Sequence, residues 1–350
     1  MKKRVIILLF VFFAVALLIL DACKKSDVQQ ELYNPTLLQF TIPNGWPQPT
    51  INIFAGNPLT EEGFQLGKKL FYDGRLSKDG NFPCASCHQQ FAAFATYDHD
   101  FSHGINNTFT TRNAPALFNL AWTPLLHWDG GINHIEVQPL APLTAPNEMG
   151  ETIENVLSKL KADTAYPKMF KSAFGNSDVT SQQMLKALAQ FTGSIQSYNS
   201  KYDKVKRNET TFTTAEQNGY TVFKTKCETC HKEPLLTDNS FRNNGMAVNT
   251  YLNDYGRMRI TGDKNDSLKF KVPSLRNAVL TFPYMHDGRF YTVGQVIDHY
   301  RTGIITSQTT LDPLLKNRIA ISNAEKNDLI YFLYTLTDTT LTKDPRFSMK

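Results

Sequence analysis

The chain opens on an unbroken apolar run, Val5 to Leu20, and then turns polar and proline-containing. From Thr60 its apolar residues recur at helical spacing. Thr60 is placed to cap a helix, Glu61 and Glu62 suit a first turn, and Phe64, Leu66, Leu70 and Phe71 supply one apolar surface. Thr214 to Lys226 repeats the scheme, with an N-capping threonine, Glu216, and then Tyr220, Val222 and Phe223. Thr152 to Leu160 and Ser181 to Tyr198 read as further helices, the second carrying a stripe through Met184, Leu188, Phe191, Ile195 and Tyr198. Ser322 and Glu325 form a capping box that opens a helix through Leu336. Strand patterns are scarce, so the predicted fold is mostly α.

Between these helices the chain is irregular. Residues 89–150 are rich in Gly, Pro, Asn and Asp and predict a long loop of the kind that carries function. Residues 23–56, with Pro43, Pro47 and Pro49, read as a tether and lead-in, and charged Lys201 to Glu209 as an interdomain linker. Residues 1–22 read as a signal peptide. Lys2, Lys3 and Arg4 precede the apolar run, whose 16 residues are short for a membrane span. The run ends Leu20-Asp21-Ala22-Cys23, which resembles a lipoprotein signal with Cys23 as the lipidated residue, although Asp21 is atypical there. The expected location is the periplasm, anchored to a membrane through lipid.

Charge narrows the partners little. The chain holds 37 Lys and Arg against 32 Asp and Glu; without the leader's three basic residues and Asp21, 34 and 31 remain, a net +3. Nothing in this balance points to a nucleic-acid partner.

The cysteines carry the chemistry. Cys84-Ala85-Ser86-Cys87-His88 and Cys227-Glu228-Thr229-Cys230-His231 are two complete copies of CxxCH, the attachment signature of c-type haem. Each cysteine adds to a haem vinyl group, and the adjacent histidine becomes the proximal iron ligand. Zinc or a redox dithiol is the rival reading, but four zinc thiolates would leave both histidines unexplained. Of the five cysteines only Cys23 stays outside these motifs, so no structural disulfide is expected.

An ordered series of motifs then resembles one family. LGKKLFYDGRLS (66–77), TRNAPALFN (111–119), HWDGG (127–131), PLTAPNEMG (142–150), FKVPSLRN (270–277) and YMHDGRF (284–290) surround the two haem motifs. Together they resemble the bacterial dihaem cytochrome c peroxidases and their relatives MauG and MbnH, from about Leu66 to Leu336. The resemblance implies two cytochrome c-like haem domains with long functional loops, at residues 57–205 (peroxidatic haem) and 206–350 (electron-transfer haem). It implies two covalent haem c groups, hydrogen peroxide as oxidant, and a small cytochrome or cupredoxin as electron donor. A secreted protein oxidised at tryptophan is the alternative partner, and a non-catalytic dihaem carrier the non-enzyme alternative. A homodimer is a further expectation.

The same resemblance implies roles. Over the first haem, Glu148, twenty residues after Trp128, matches the distal acid and base, Gln138 the distal amide, and Pro142 a residue at the pocket rim. Trp128 matches the aromatic between the haems. At the second haem, His286 plus fourteen is Tyr300, where the peroxidase branch has methionine and the MauG/MbnH-like branch tyrosine; Met285 and His299 are rival ligands. His103, with His99 nearby, is a candidate cap on the first iron, while His127 and His134 read as structural. A calcium ion between the domains would take Asn113 through its side chain and Thr281 and Pro283 through carbonyls.

Overall fold

A computed structural model describes residues 33–349; the leader, Asp21 and Cys23 lie outside the described residues. The protein is mostly helical, with one two-stranded ribbon between Phe241–Arg242 and Phe270–Lys271. Among the described residues no helix is long and apolar enough to cross a membrane.

The first half is built on α1 (Glu61–Phe71). Thr60 caps it, accepting from the Gly63 N–H as its position predicts. A single turn, α2 (Cys84–Cys87), carries the first haem motif. The long loop that follows holds only short turns and the five-residue α3 (Leu140–Thr144). Three helices, α4 (Ile153–Ala162), α5 (Tyr166–Phe174) and α6 (Ser181–Gly193), complete this half. Their apolar faces bury Phe64, Leu70, Phe71, Leu160, Phe170, Leu188 and Phe191 in one core.

The stripe on α6 predicted a longer helix. Instead the chain leaves the helix after Gly193 because Asn119 captures it: the Asn119 N–H donates to Ile195 O, and Asn119 Oδ1 accepts from Ser197 N. The charged stretch read as a linker is also different. It forms a helix, α7 (Lys201–Lys206), with a capping box between Ser200 and Asp203, and it buries Tyr202 and Asp203. The lead-in is packed as well: Phe40, Trp46, Ile51, Ile53 and Phe54 gather around buried Trp122. A low-charge segment with these aromatics gains more from burial than from staying solvated.

The second half repeats the arrangement with α8 (Thr214–Lys226), whose cap is Thr213. After the single turn α9 (Met258–Thr261) come α10 (Val293–Asp298) and α11 (Asn323–Thr335), which opens on the predicted Ser322–Glu325 box. Phe223, Phe332, Leu333 and Leu336 form the core. Each half needs one glycine for the same reason. A Cβ on Gly67 would sit 2.0 Å from Ala187 O, and one on Gly219 1.9 Å from Asp328 O, so the helix before each haem motif packs backbone to backbone on its partner. The last helix, α12 (Thr339–Lys343), crosses back: Leu341 and Phe347 enter the first core, and Gln90 donates to Leu341 O and Asp344 O.

Candidate active site

Both haem motifs open onto one cavity of about 1170 Å³, which is also lined by Trp128, Gln138, Glu148 and Tyr300. That exceeds the roughly 300–1,000 Å³ of a pocket for one small molecule. At each end a single turn brings the cysteines and histidine together. The His88 N–H donates to Cys84 O, and the His231 N–H to Cys227 O.

The two histidines are held alike. His88 Nδ1 lies 3.0 Å from Phe94 O; His231 Nδ1 lies 3.3 Å from Leu236 O and 3.1 Å from Pro273 O. Phe94 and Leu236 are fully buried and both adopt left-handed backbone, φ 59° and 58°. That conformation is costly for a bulky residue and persists where surrounding structure enforces it. Here it turns a carbonyl onto the imidazole. An Nδ1–H held by carbonyls leaves the Nε2 lone pair free, as an iron ligand requires. Burial favours the neutral ring, lowering His88 to about 4 and His231 in the same direction.

A c-type haem fits this donor set. The four motif cysteines form no disulfide, which leaves their sulfurs for thioether bonds, and burial raises their thiols, Cys84 and Cys227 to about 12. The cavity also offers unspent positive charge for a tetrapyrrole's carboxylates. Lys271 Nζ donates only to Leu125 O, at 2.7 Å, and makes no ion pair among the described residues. Burial drops its pKa to about 8, against the pull of Asp129.

Glu148 lines the cavity, and its carboxylate has no hydrogen-bond partner among the described residues. Burial raises its pKa. A carboxylate this close to Thr152 could have served only the start of α4, but Glu151 does that: it accepts from Thr152 N and Asn155 Nδ2 and pairs with Lys159. Gly104 lets the turn that carries Glu148 approach, since a Cβ there would lie 2.2 Å from Asn147 O. Gln138 Nε2 is 3.3 Å from His127 Nε2. Trp128 Nε1 donates to Asn113 O at 2.9 Å, and Trp128 O accepts from Lys271 N at 2.8 Å.

At the second motif, Tyr300 lies on a single π-helical turn, His299–Gly303, that continues α10. Such turns are frequent at functional sites because they re-aim one side chain. Tyr300 lines the cavity; burial lifts its phenol to about 12, against a downward pull from the Asn244 side chain. Met285 shares the cavity, with its Sδ 3.5 Å from Asn244 Nδ2. His299 points elsewhere: it is buried, outside the cavity lining, with Nε2 3.0 Å from Asn244 O.

Asn113, Thr281 and Pro283 all line the cavity, and Asn113 Nδ2 donates to His99 O and Asp100 O. His103 lines it too and its ring is 5.2 Å from that of exposed His99. His134 is exposed, accepting from Glu136 N, but His127, read from sequence as structural, faces the cavity. Sequence reasoning also passed over Lys271 and Asn244. Lys271 stood out only as one cation within the FKVPSLRN run, and Asn244 carried no signal.

Residues 61–211 match the family model described as Di-haem cytochrome c peroxidase. The Methylamine utilization protein MauG of Methylorubrum extorquens is 32% identical over 321 residues, 90% of this chain and 88% of that protein. The chain belongs to the di-haem cytochrome c peroxidase family. Its two CxxCH motifs accordingly hold two haem c groups, and it is an oxidoreductase of the peroxidase type. Cytochrome c551 peroxidase of Nitrosomonas europaea is 31% identical, over 83% of this chain and 84% of that one. A crystal structure of a MauG-like protein associated with microbial copper homeostasis superposes with a TM-score of 0.82 at 34% identity, covering 89% of this chain and 99% of that chain.

Proposed function

We propose that this dihaem peroxidase uses hydrogen peroxide at the N-terminal haem, with electrons delivered through the C-terminal haem from a small redox protein. The observation that carries the reading is Glu148, an unpartnered carboxylate in the cavity of the first haem motif. When bound, the haems supply two redox irons, one open to oxidant and one passing electrons.

The chain's own residues then have separable tasks. His88 and His231 would hold iron through Nε2, since Nδ1 of each is engaged by backbone carbonyls. Glu148 is placed to take a proton from one peroxide oxygen and return it to the other, which would leave as water. Gln138 orients the peroxide through its amide. Two electrons and two protons complete reduction of one peroxide to two waters. Trp128 lines the cavity shared by both motifs and relays charge between them.

A second reading rests on Tyr300. In MauG/MbnH-like proteins tyrosine stands at this position, and the substrate is a tryptophan side chain of a partner protein. An anionic oxygen ligand stabilises oxidised iron where thioether sulfur favours the reduced form. The two are separated by mixing the holoprotein with peroxide and either a reduced small cytochrome or secreted proteins encoded beside this chain. Rapid cytochrome oxidation supports the first reading; a mass change on a secreted protein's tryptophan supports the second; neither product refutes both.

Three further assignments belong to this proposal. Calcium bound at Asn113, Thr281 and Pro283 would brace Trp128, whose indole rests on Asn113 O. The division into haem domains 57–205 and 206–350 draws support from the separate cores around α1 and α8, although Tyr202 packs into the second core and Leu341 and Phe347 into the first. Periplasmic export with a lipid on Cys23, and a homodimer, complete the picture.

A further inference from the structure

His127 is a half-buried histidine in the cavity that the mechanism above leaves without a task. Its backbone is left-handed, φ 65°, a conformation that histidine, like asparagine and aspartate, adopts more readily than most residues. The Leu126–Ile132 bridge closes the loop around it, with the Leu126 N–H donating to Ile132 O at 2.7 Å. The loop thus sets the His127 ring against a cavity group, Gln138, with the two Nε2 atoms 3.3 Å apart.

The chemistry of that contact is restricted. Burial disfavours the charged ring; the fields of Lys271 and Arg112 act in the same direction and that of Asp129 against it. A neutral imidazole has one N–H and one lone pair. With Gln138 Nε2 facing it, His127 Nε2 carries the lone pair and Nδ1 the proton. The Gln138 amide then spends an N–H on His127, and its Oε1, which has no protein donor among the described residues, is left for the cavity.

We propose that His127 is a positioning residue: it holds Gln138 through the Nε2–Nε2 hydrogen bond so that the amide presents its carbonyl oxygen to the peroxide. The proposal rests on the reading of Gln138 as the group that orients peroxide. An amide free to rotate offers either face, and orientation lost at the reacting centre costs rate.

The test is a double-mutant cycle on the holoprotein with His127→Phe, His127→Asn and Gln138→Leu. Asparagine tolerates left-handed backbone, so it guards against a loop that fails to fold. Two quantities are read: the stopped-flow rate of peroxide reaction, and the carbonyl stretching band of carbon monoxide bound to the reduced protein. Gln138→Leu is expected to slow the reaction about 10- to 100-fold, and each His127 variant about 3- to 10-fold. In the Gln138→Leu background, His127→Phe is expected to cost less than about twofold, because coupled residues are not additive. The band should shift in each single variant and no further in the double. Equal slowing by His127→Phe in both backgrounds would overturn the proposal, as would an unchanged rate and band in both His127 variants beside a slow Gln138→Leu. An unaffected Gln138→Leu sinks the reading of Gln138 itself, and with no coupled band shift it sinks the His127 proposal as well.

Discussion

Arg276 and Asp203 face each other as a fork on a fork, with the two terminal guanidinium nitrogens each 2.8 Å from a carboxylate oxygen. The Arg276 side chain is 0% exposed, also donates to Pro234 O, and lies under the Trp46 ring at 4.7 Å. One ion pair thus ties the FKVPSLRN motif to α7 and to the lead-in. Replacing one partner strands a buried charge. Arg276→Met or Asp203→Asn should each cost about 3–5 kcal/mol in denaturant unfolding, whereas the Arg276→Met, Asp203→Leu double variant should recover much of it. Burial pushes the Asp203 carboxyl up, but Arg276 and Ser200 outweigh it and leave its pKa lowered. Its stabilisation is therefore present above the ordinary carboxylate range near 4 and is lost as pH falls through the lowered folded value. Acid unfolding of Asp203→Asn should lack that limb.

Haem stoichiometry should follow the motifs one by one. Intact mass of the exported protein should exceed the bare chain by two haems, and Cys84→Ser with Cys87→Ser should remove one haem while His231 keeps its own. A chain that gains zinc in place of haem, or only one haem from intact motifs, contradicts the assignment.

Glu148→Gln keeps the shape of the side chain and removes its ability to carry a proton. It should retain both haems and slow peroxide cleavage by roughly 10²–10⁴-fold. The pH profile adds a sign. Burial raises the Glu148 pKa, and the base must be ionised to accept a proton. The wild-type rate should fall as pH drops through that raised value, and the fall should vanish in Glu148→Gln. A wild-type rate flat from neutral pH down to the ordinary carboxylate range would remove Glu148 from the mechanism.

Tyr300 should govern the second iron. The resting oxidised protein is expected to show one high-spin and one low-spin haem by electron paramagnetic resonance. Tyr300→Phe should abolish the low-spin signal without loss of covalent haem, and Tyr300→Met should raise that haem's potential. A bis-histidine spectrum, or one unchanged in Tyr300→Phe, would hand the position to Met285 or to a histidine.

Calcium should act through Asn113. Chelation is expected to lower the melting temperature of the wild type, since a ligand that binds only the folded state adds about 2.7 kcal/mol at a hundred times its Kd. Because Asn113 O holds the Trp128 indole, the same treatment should change tryptophan fluorescence. Asn113→Ala should be insensitive to chelator; a wild type equally insensitive would exclude the site.

The sequence by itself determined the parts whose causes are local. Thr60 and the Ser322–Glu325 box mark helix starts because a cap bonds within its own turn. CxxCH declares haem because both cysteines and the histidine lie on one turn. Only the tertiary structure decided what depends on contacts distant in sequence. Glu148 and Glu151 are three residues apart and chemically alike. Lys159, two helical turns along α4, claims Glu151 locally, while Glu148 faces a cavity lined by residues from both haem motifs, which no local pattern displays. The charged stretch of α7 looked like a solvated linker because nothing in its own composition reveals Arg276, 73 residues on, which draws Asp203 inward. His127 looked structural for the same reason: its meaning lies in Gln138 and in a left-handed backbone that a closed loop enforces and no periodicity displays.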